Sequence, residues 1–311
     1  MSPYEVDYVY LETTTYCNLD CSFCNRRDVV KHAQHMSLEN WIVVQEKIKD
    51  FPIREAKLMG LGEPFLHPQF SDICRIFKEY HPNANIIVAT NAQYTPNENF
   101  FESLQYIGQL YVSIDGTHEI YESERAPSKW SKLLSFLDNL ERNIERIKDC
   151  DLVVNYVVTE KTYDKIEDLK KEIMDRYKFF STLRLNIAQW WSEGETVAIT
   201  FDSKIIKEVS RNKDLVMGKS PWDFSDCFWP SHGFYMTVNG DVKICCLNTN
   251  TTPIGNVFRD NIDDILNNKK RVAIQNANAK NQPMDHCKAC DYKSLSPVIS
   301  KIRNYQEVAI I

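Results

Sequence analysis

The chain has 311 residues, of which 43% are hydrophobic, and a formal net charge of −6 at pH 7. This apolar content supports a large folded core, and the negative charge argues against extended contact with nucleic-acid phosphate. The N-terminal segment has neither the basic start of a signal peptide nor the run of about 20 apolar residues that spans a membrane. We therefore expect a soluble cytoplasmic protein whose ten cysteines are reduced and serve metal or redox chemistry.

Six apolar segments rich in β-branched residues alternate with segments of helical period. The predicted strands are residues 8–14, 55–61, 85–91, 109–115, 152–159 and 182–188. Two of the predicted helices begin at the candidate N-caps Ser37 and Ser71. Such strands pair in parallel through right-handed crossovers, and six units are too few for the eight of a closed barrel. The predicted fold class is therefore α/β, a partial (β/α)6 TIM-like barrel with ligands at the carboxyl ends of its strands.

The pattern changes after about residue 200. Residues 234–246 alternate like a β-hairpin around Asn239 and Gly240, a pair that suits the positive φ angles of a tight primed turn. A helix is predicted over 261–277, after which two further cysteines follow. We predict two domains, a barrel core over residues 1–200 and a smaller unit of hairpin plus helix over residues 201–311.

Three cysteines follow the first predicted strand with the spacing C-x3-C-x2-C: Cys17, Cys21 and Cys24. Three thiolates around a [4Fe–4S] cluster leave one iron without a protein ligand, free to bind another molecule. A structural zinc site would instead need four ligands, and the nearest possible fourth is His32 or His35, beyond a charged segment. The spacing therefore favours the cluster over zinc.

The same stretch resembles the signature of the radical S-adenosylmethionine (radical SAM) family, C-x3-C-x-aromatic-C, with Phe23 in the aromatic position. The resemblance implies that the three cysteines hold a [4Fe–4S] cluster whose open iron is chelated by SAM. One electron from the reduced cluster then cleaves SAM to methionine and a 5′-deoxyadenosyl radical, which takes a hydrogen atom from the substrate. It also implies a flavodoxin- or ferredoxin-type electron donor as a partner.

Further stretches match the family's pattern in the expected order along the chain. Residues 60–68 resemble its glycine-glutamate-proline segment, and residues 90–95 resemble its threonine-asparagine-glycine ending, with Ala92 in place of the glycine. Asn155 is a polar residue in an apolar strand and needs a partner, either a SAM hydroxyl or a neighbouring backbone group. The resemblance predicts cofactor contacts at Phe23, Gly62, Glu63, Pro64, Asn91, Ser113 and Asn155.

A second cysteine set lies in the C-terminal part of the chain. It resembles the twitch domain, the shortened form of the SPASM extension of some radical SAM enzymes. The resemblance implies an auxiliary [4Fe–4S] cluster held entirely by protein, and hence two clusters in all. A zinc ribbon remains an alternative, because four thiolates also suit zinc. The predicted metal ligands are Cys227, Cys245, Cys287 and Cys290.

Two further residues are candidates for substrate chemistry. Cys246 is adjacent to Cys245, and successive side chains of a strand point to opposite faces, so only one of the two thiols should reach the cluster. Cys246 is then either a packed side chain or a hydrogen donor facing the substrate. Arg125 follows the fourth strand and could hold a polar group of the substrate, although a surface ion pair is the commoner use.

The layout is similar to that of the 2-deoxy-scyllo-inosamine dehydrogenases, which also carry one auxiliary cluster. The resemblance favours radical oxidation of a hydroxyl- or amine-bearing carbon in a small sugar-like or cyclitol metabolite. Only 16 residues precede Cys17, whereas some peptide-modifying relatives carry a long domain there, and this also favours a small molecule. The alternatives are a radical epimerase with a cysteine hydrogen donor, a ribosomal-peptide modifying enzyme, and a metal-binding module without enzymatic activity.

Overall fold

The computed structural model describes residues 6–187, 229–246, 252–280 and 282. One nine-stranded sheet runs through it in the order β6-β5-β4-β3-β2-β1-β7-β8-β9. The strands are β1 Tyr8–Leu11, β2 Glu55–Lys57, β3 Asn85–Thr90, β4 Gln109–Ser113, β5 Asp151–Val158, β6 Phe180–Ile187, β7 Gly233–Met236, β8 Asp241–Lys243 and β9 Gly255–Asn256.

Helices connect these strands. They are α1 Arg26–Val29, α2 Leu38–Ile48, α3 Phe70–Tyr80, α4 Glu98–Leu104, α5 His118–Glu124, α6 Trp130–Arg142, α7 Ile166–Leu169, α8 Trp229–His232, α9 Ile262–Leu266 and α10 Lys269–Ala279. A π-helical turn, Lys170–Met174, continues α7. In the described part of the chain, no helix has the length and apolar character needed to cross a bilayer.

The first six strands pair in parallel, each with its neighbour in sequence, and β6 does not close onto β1. The predicted α/β fold with a partial, open barrel is therefore confirmed, as are all six predicted strands, although each observed strand is bounded differently at its ends. Alternate side chains such as Val9, Ala56 and Val88 are fully buried against the helices and form the main core. The other face of the sheet is the inner face of the partial barrel.

Helix starts were predicted with mixed success. Ser37 caps α2, because its side chain accepts a hydrogen bond from the Asn40 amide. The prediction that Ser71 caps α3 was wrong: α3 begins at Phe70, and the Ser71 amide donates to Asn99 Oδ1 at 3.0 Å. A residue from a neighbouring loop therefore satisfies an amide that would otherwise lack a partner in the first turn.

The C-terminal hairpin extends the main sheet, because β7 pairs in parallel with β1. Its turn differs from the predicted tight primed turn. The Thr237 amide donates to the Asp241 carbonyl at 2.9 Å, so three residues, 238–240, form the turn, and Gly240 is its left-handed residue with φ +80°. This is the three-residue hairpin in which glycine supplies the positive φ angle.

Replacing Gly240 with alanine should lower the free energy of unfolding by about 2 kcal/mol, because alanine disfavours this φ angle and needs room that is already filled. A Cβ atom there would lie 2.5 Å from two ring atoms of Phe258. Urea denaturation of both proteins, at equal iron content, measures the change. Gly240→Asn separates the effect of the φ angle from the effect of the added Cβ atom, since asparagine tolerates a positive φ but also carries a Cβ atom. An unchanged urea midpoint for Gly240→Ala would contradict this account.

The helix predicted over 261–277 is two helices, α9 and α10. The break falls at Asn267 and Asn268, and the Asn268 side chain donates to the Ile254 carbonyl at 2.9 Å. Asparagine competes for backbone partners in this way and interrupts a helix. The predicted domain boundary at residue 200 lies outside the described residues and stays a prediction.

Candidate functional site

The three-cysteine loop begins where β1 ends, at the carboxyl edge of the parallel sheet. Cys17 and Cys21 are half-buried and Cys24 is exposed. The Cys24 amide donates to the Cys21 carbonyl at 3.1 Å, which forms a turn between the last two cysteines. The Glu63 amide donates to the Tyr16 carbonyl at 2.7 Å and joins this loop to the segment after β2.

Two of the thiols receive polar donors. Asn91 Nδ2 lies 3.8 Å from Cys17 Sγ, and Arg125 Nη1 lies 3.9 Å from Cys21 Sγ. Burial raises the pKa of Cys17 and raises that of Cys21 to about 12, while Arg125 opposes the shift at Cys21. Donors aimed at sulfur favour the thiolate form that binds iron. The donor set therefore fits a [4Fe–4S] cluster.

The spacing of these thiols also bears on the zinc alternative. Within the described residues, no three His, Cys, Asp or Glu side chains stand close enough together to bind one metal ion. Zinc draws its ligands to about 2.3 Å from a single centre. The three cysteines assigned to the cluster are among these described residues, so the preference for a cluster over zinc rests on their spacing in the sequence.

Arg125 lies beneath the loop in a buried ion pair. Its Nε donates to Asp115 Oδ2 at 2.6 Å, and Asp115 Oδ1 accepts from the Val157 amide at 2.6 Å. The guanidinium also lies 5.4 Å from the centre of the Phe23 ring. Arg125 is only 6% exposed, so its ion pair is buried where the sequence favoured a surface one, and its contact with substrate stays a prediction. The geometry favours a role in positioning the cysteine loop.

The Glu63 side chain is buried and accepts several hydrogen bonds. Its carboxylate accepts from Thr90 Oγ1 at 2.9 Å and from the Asn91 amide at 2.7 Å. Gly62 lies so close to the Thr14 carbonyl that a Cβ atom would overlap it, and Pro64 opens a short 3-10 turn. These contacts hold the segment after β2 against the ends of β1 and β3.

Ala92 follows Asn91 at the position where the family pattern has glycine. It is fully buried and adopts φ +56°. Glycine reaches this left-handed conformation without the strain that a Cβ atom brings. The conformation therefore explains why the pattern has glycine here, and this chain keeps the same backbone with alanine.

Burial raises the pKa of Glu63 from its ordinary value of 4.5 to about 7, against the lowering effect of its hydrogen bonds. Without SAM, this carboxyl should therefore contribute stability that is full below pH 4.5 and is lost as the pH rises through 7. The advantage of Glu63→Gln over the native protein should grow by about 3 kcal/mol between pH 4 and pH 8. Urea midpoints at both pH values measure this, and a constant difference would contradict it.

Ser113 and Asn155, two predicted SAM contacts, are register partners on β4 and β5. Asn155 Oδ1 accepts from Asn186 Nδ2 at 2.6 Å. Its partner is therefore a side chain on β6, whereas the sequence suggested a SAM hydroxyl or a backbone group. A SAM contact at Asn155 Nδ2 stays a prediction, as does the contact at Ser113.

Cys245 and Cys246 lie just after β8, the second strand of the hairpin. Cys245 belongs to the predicted ligand set, and Cys246 is its neighbour. Cys246 lies close enough to Tyr10 and Tyr235 to raise their pKa values, after the larger effect of burial. Cys246 therefore lies near these two tyrosines, and its role as a hydrogen donor stays a prediction. The other predicted ligands lie outside the described residues, and the ligand set stays a prediction: Cys227, Cys287 and Cys290.

Sequence analysis missed one buried carboxylate. Glu12 Oε1 accepts from the Leu61 amide at 2.8 Å and from Tyr235 Oη at 3.1 Å, and Oε2 accepts from the Val238 amide at 3.0 Å. Glu12 thereby joins β1 to both the segment after β2 and the hairpin. The feature of the sequence that could have identified Glu12 is an acidic residue at the end of an apolar strand.

Asn18, inside the cysteine loop, was also missed. It accepts from Asn91 Nδ2 at 2.8 Å and donates to the Gln93 carbonyl at 2.8 Å. These two bonds tie the loop to the end of β3. Nothing in the local pattern of the loop distinguishes this asparagine from an exposed turn residue, so its role depended on tertiary pairing.

Comparison with known proteins gives two family matches. Residues 11–173 match the radical SAM superfamily, and residues 227–291 match SPASM, an iron-sulfur cluster-binding domain. The sporulation killing factor maturation protein SkfB of Bacillus subtilis (strain 168) is 21% identical over 274 residues, which cover 82% of this chain and 63% of that protein. This chain therefore spans less than two thirds of that relative's length.

Two solved structures share the fold. BtrN in complex with AdoMet and 2-DOIA has a TM-score of 0.54 at 18% identity, with 88% of this chain and 86% of that chain covered. Native anSMEcpe with bound AdoMet has a TM-score of 0.64 at 17% identity, with 91% and 86% covered. The two matched domains imply [4Fe–4S] clusters and SAM (AdoMet) as cofactors. The chain belongs to the radical SAM superfamily and carries a SPASM-type iron-sulfur domain.

Proposed function

We propose that this protein oxidises a hydroxyl- or amine-bearing carbon of a small sugar-like or cyclitol metabolite by radical SAM chemistry. One observation carries the proposal. The hairpin that bears Cys245 and Cys246 pairs directly with β1, the strand that leads into the three-cysteine loop. An auxiliary centre held by the hairpin would therefore be attached to the same sheet as the first site, where it could accept an electron from a substrate radical.

In this proposal, different residues of the chain bind the first cluster and SAM. Cys17, Cys21 and Cys24 hold the first cluster, which supplies the electron that cleaves SAM. Glu63, with its carboxylate fixed by Thr90 and the Asn91 amide, receives the SAM amino group. A cationic ammonium beside Glu63 would favour its charged form and offset the effect of burial on its pKa.

The remaining predicted SAM contacts surround that position. Gly62 lets the backbone approach closely, as its tight fit against Thr14 indicates. Ser113 and Asn155 lie side by side on neighbouring strands, where their polar groups could hold the ribose or carboxylate. These residues bind and orient SAM, and none of them needs to transfer a proton.

The oxidation itself must balance. The 5′-deoxyadenosyl radical takes one hydrogen atom from the substrate carbon, and the resulting substrate radical must lose one proton and one electron to give a carbonyl or imine. An auxiliary cluster with four cysteine ligands is a suitable acceptor for that electron. Cys245 is the described member of its proposed ligand set.

An external electron donor must reduce the first cluster. The side of the loop nearest solvent carries the exposed Cys24, followed by Arg26 and Arg27, and Arg27 has 74% of its side chain exposed. Arg27 pairs with Asp20 and the exposed Asp28 follows, so the charges beside the loop largely cancel. The proposal of a flavodoxin- or ferredoxin-type donor therefore rests on the family resemblance and on the exposure of Cys24.

Modification of a peptide is a second candidate function. The similarity to SkfB, which is a maturation protein for sporulation killing factor, favours it, as does the shared fold with anSMEcpe, which has been solved with bound peptides. Both candidates need the same SAM chemistry. They differ in whether the inner face accommodates a compact molecule or an extended chain.

The experiment that tests the proposal is formation of 5′-deoxyadenosine from SAM. Protein reconstituted anaerobically and reduced with dithionite should form it slowly even without substrate, because SAM cleavage depends only on residues of the first site. Liquid chromatography of the quenched reaction measures it. Absence of 5′-deoxyadenosine from a fully loaded, reduced sample would favour a metal-binding module instead.

A further inference from the structure

The inner face of the sheet carries aromatic side chains and two cations. Lys57 Nζ, at the end of β2, lies 5.4 Å from the centre of the Tyr8 ring and 5.9 Å from that of Tyr10. The Arg184 guanidinium, on β6, lies 4.8 Å from the centre of the Tyr111 ring. These side chains lie on the face opposite the main core, since their strand neighbours Val9, Ala56 and Leu183 form that core.

Neither cation has an ion-pair partner among the described residues. Lys57 contacts the rings of Tyr8 and Tyr10, and Arg184 contacts that of Tyr111. Burial and then the positive charge of Arg184 lower the pKa of Lys57 to about 8, although Glu55 on the same face opposes this. Two cations and one nearby carboxylate leave an excess of positive charge in a partly buried site.

Such an arrangement is costly without an anion. Partly buried cations need counter-charges, and aromatic rings supply only part of the attraction that a carboxylate would give. An anion between the two side chains would accept hydrogen bonds from both, and bonds between charged partners are the stronger kind. Both cations are only half-buried, so each keeps part of its surface open to an anion.

The location matches the place that a substrate would occupy. Arg184 is the register partner of Asn155, which in turn pairs with Ser113, so the guanidinium lies level with two predicted SAM contacts. Lys57 ends the strand that leads into the Glu63 segment. Cys246 lies near enough to Lys57 to influence its pKa. In the order of the sheet, β2 with Lys57 and β6 with Arg184 therefore flank the strands that carry these two predicted SAM contacts.

We propose that Lys57 and Arg184 bind an anionic group of the substrate, a carboxylate or a phosphate, on the inner face of the barrel. This inference rests on the proposed function and adds a substrate class to it. Tyr8, Tyr10 and Tyr111 form walls on which a ring or an apolar part of the molecule can pack. The substrate is therefore an acidic metabolite rather than a neutral or cationic one.

The test uses the full-length, cluster-loaded protein and two probes, inorganic phosphate and acetate, with binding followed by isothermal titration calorimetry. At least one probe should bind saturably to the native protein. Lys57→Gln and Arg184→Gln should each weaken binding about tenfold or more, because each removes a charged hydrogen-bond donor. Lys57→Arg keeps the charge and should bind within a few-fold of native. Lys132→Gln removes an exposed charge elsewhere and is the matched control.

The outcomes are separable. Binding of phosphate alone identifies a phosphate ester as the substrate class, and binding of acetate alone identifies a carboxylate. The inference is overturned if neither probe binds, or if both Gln variants bind as tightly as the Lys132→Gln control. Formation of 5′-deoxyadenosine by the native protein is measured in parallel, so that a failed proposed function and a failed anion site give different results.

Discussion

Replacement of Cys17, Cys21 and Cys24 together with alanine should abolish formation of 5′-deoxyadenosine and reduce the iron content from about eight to about four atoms per chain. The physical reason is that these three thiols occupy one loop, so no other described cysteine can replace them at that place. Cys74 and Cys150, for example, are buried with 0% and 6% exposure. Iron analysis and a 5′-deoxyadenosine assay after anaerobic reconstitution measure the two effects.

The matched control for that variant is Cys150→Ala. Cys150 precedes β5, belongs to neither cysteine set, and should leave both the iron content and SAM cleavage close to native. Full iron content in the triple variant would contradict the assignment of the first cluster. Stoichiometric zinc in anaerobically purified native protein, with iron confined to one cluster, would instead restore the zinc ribbon and remove the proposed electron acceptor.

The first site was predictable because its signals are local in sequence. Cys17, Cys21, Cys24 and Glu63 are recognised by short spacings, and the strands before them by apolar runs of β-branched residues. Such patterns predict where residues lie in the fold, because the end of a parallel strand fixes the position of the next few residues. For the same reason the α/β class and the open barrel followed from the number and order of the strands.

What the sequence did not reveal depends on pairing between distant segments. Arg125 looked like a polar loop residue, yet it lies buried against Asp115 and Cys21. Asn155 finds its partner in Asn186, on the adjacent strand. Hydrogen-bond partners of buried polar groups are set by register and tertiary contact, which local patterns do not encode. Predictions of hydrogen-bond partners therefore failed more readily than predictions of helices and strands.

The hairpin illustrates the same limit. Its two arms and the glycine of its turn were visible in the alternation of residues, but its parallel pairing with β1 joins segments more than 200 residues apart. That pairing places Cys246 near Lys57 and Tyr10. In the sequence, a packed side chain was the simpler interpretation of Cys246. Its position near these residues makes hydrogen donation a hypothesis worth testing.

Loss of the auxiliary ligands should separate the two halves of the reaction. In the variant Cys287→Ala/Cys290→Ala, a dehydrogenase should still form 5′-deoxyadenosine but should lose ketone or imine formation almost completely, because the substrate radical can no longer give up its electron. Cys246→Ala should change turnover little in that case and serves as the matched thiol control. Retention of oxidised product in the double variant would rule out the auxiliary cluster as the acceptor.

An epimerase would show the opposite dependence, because its substrate radical must receive a hydrogen atom from a thiol on the other face. Cys246→Ala would then stop turnover after 5′-deoxyadenosine has formed, and product mass in deuterated water decides between the two. A product two mass units below substrate supports oxidation, whereas a product one unit above substrate requires a solvent-exchanged thiol and refutes it. We expect oxidation, since an electron acceptor is needed only there. Cys246 lies near Tyr10 and Lys57, so its replacement is the direct test of that expectation.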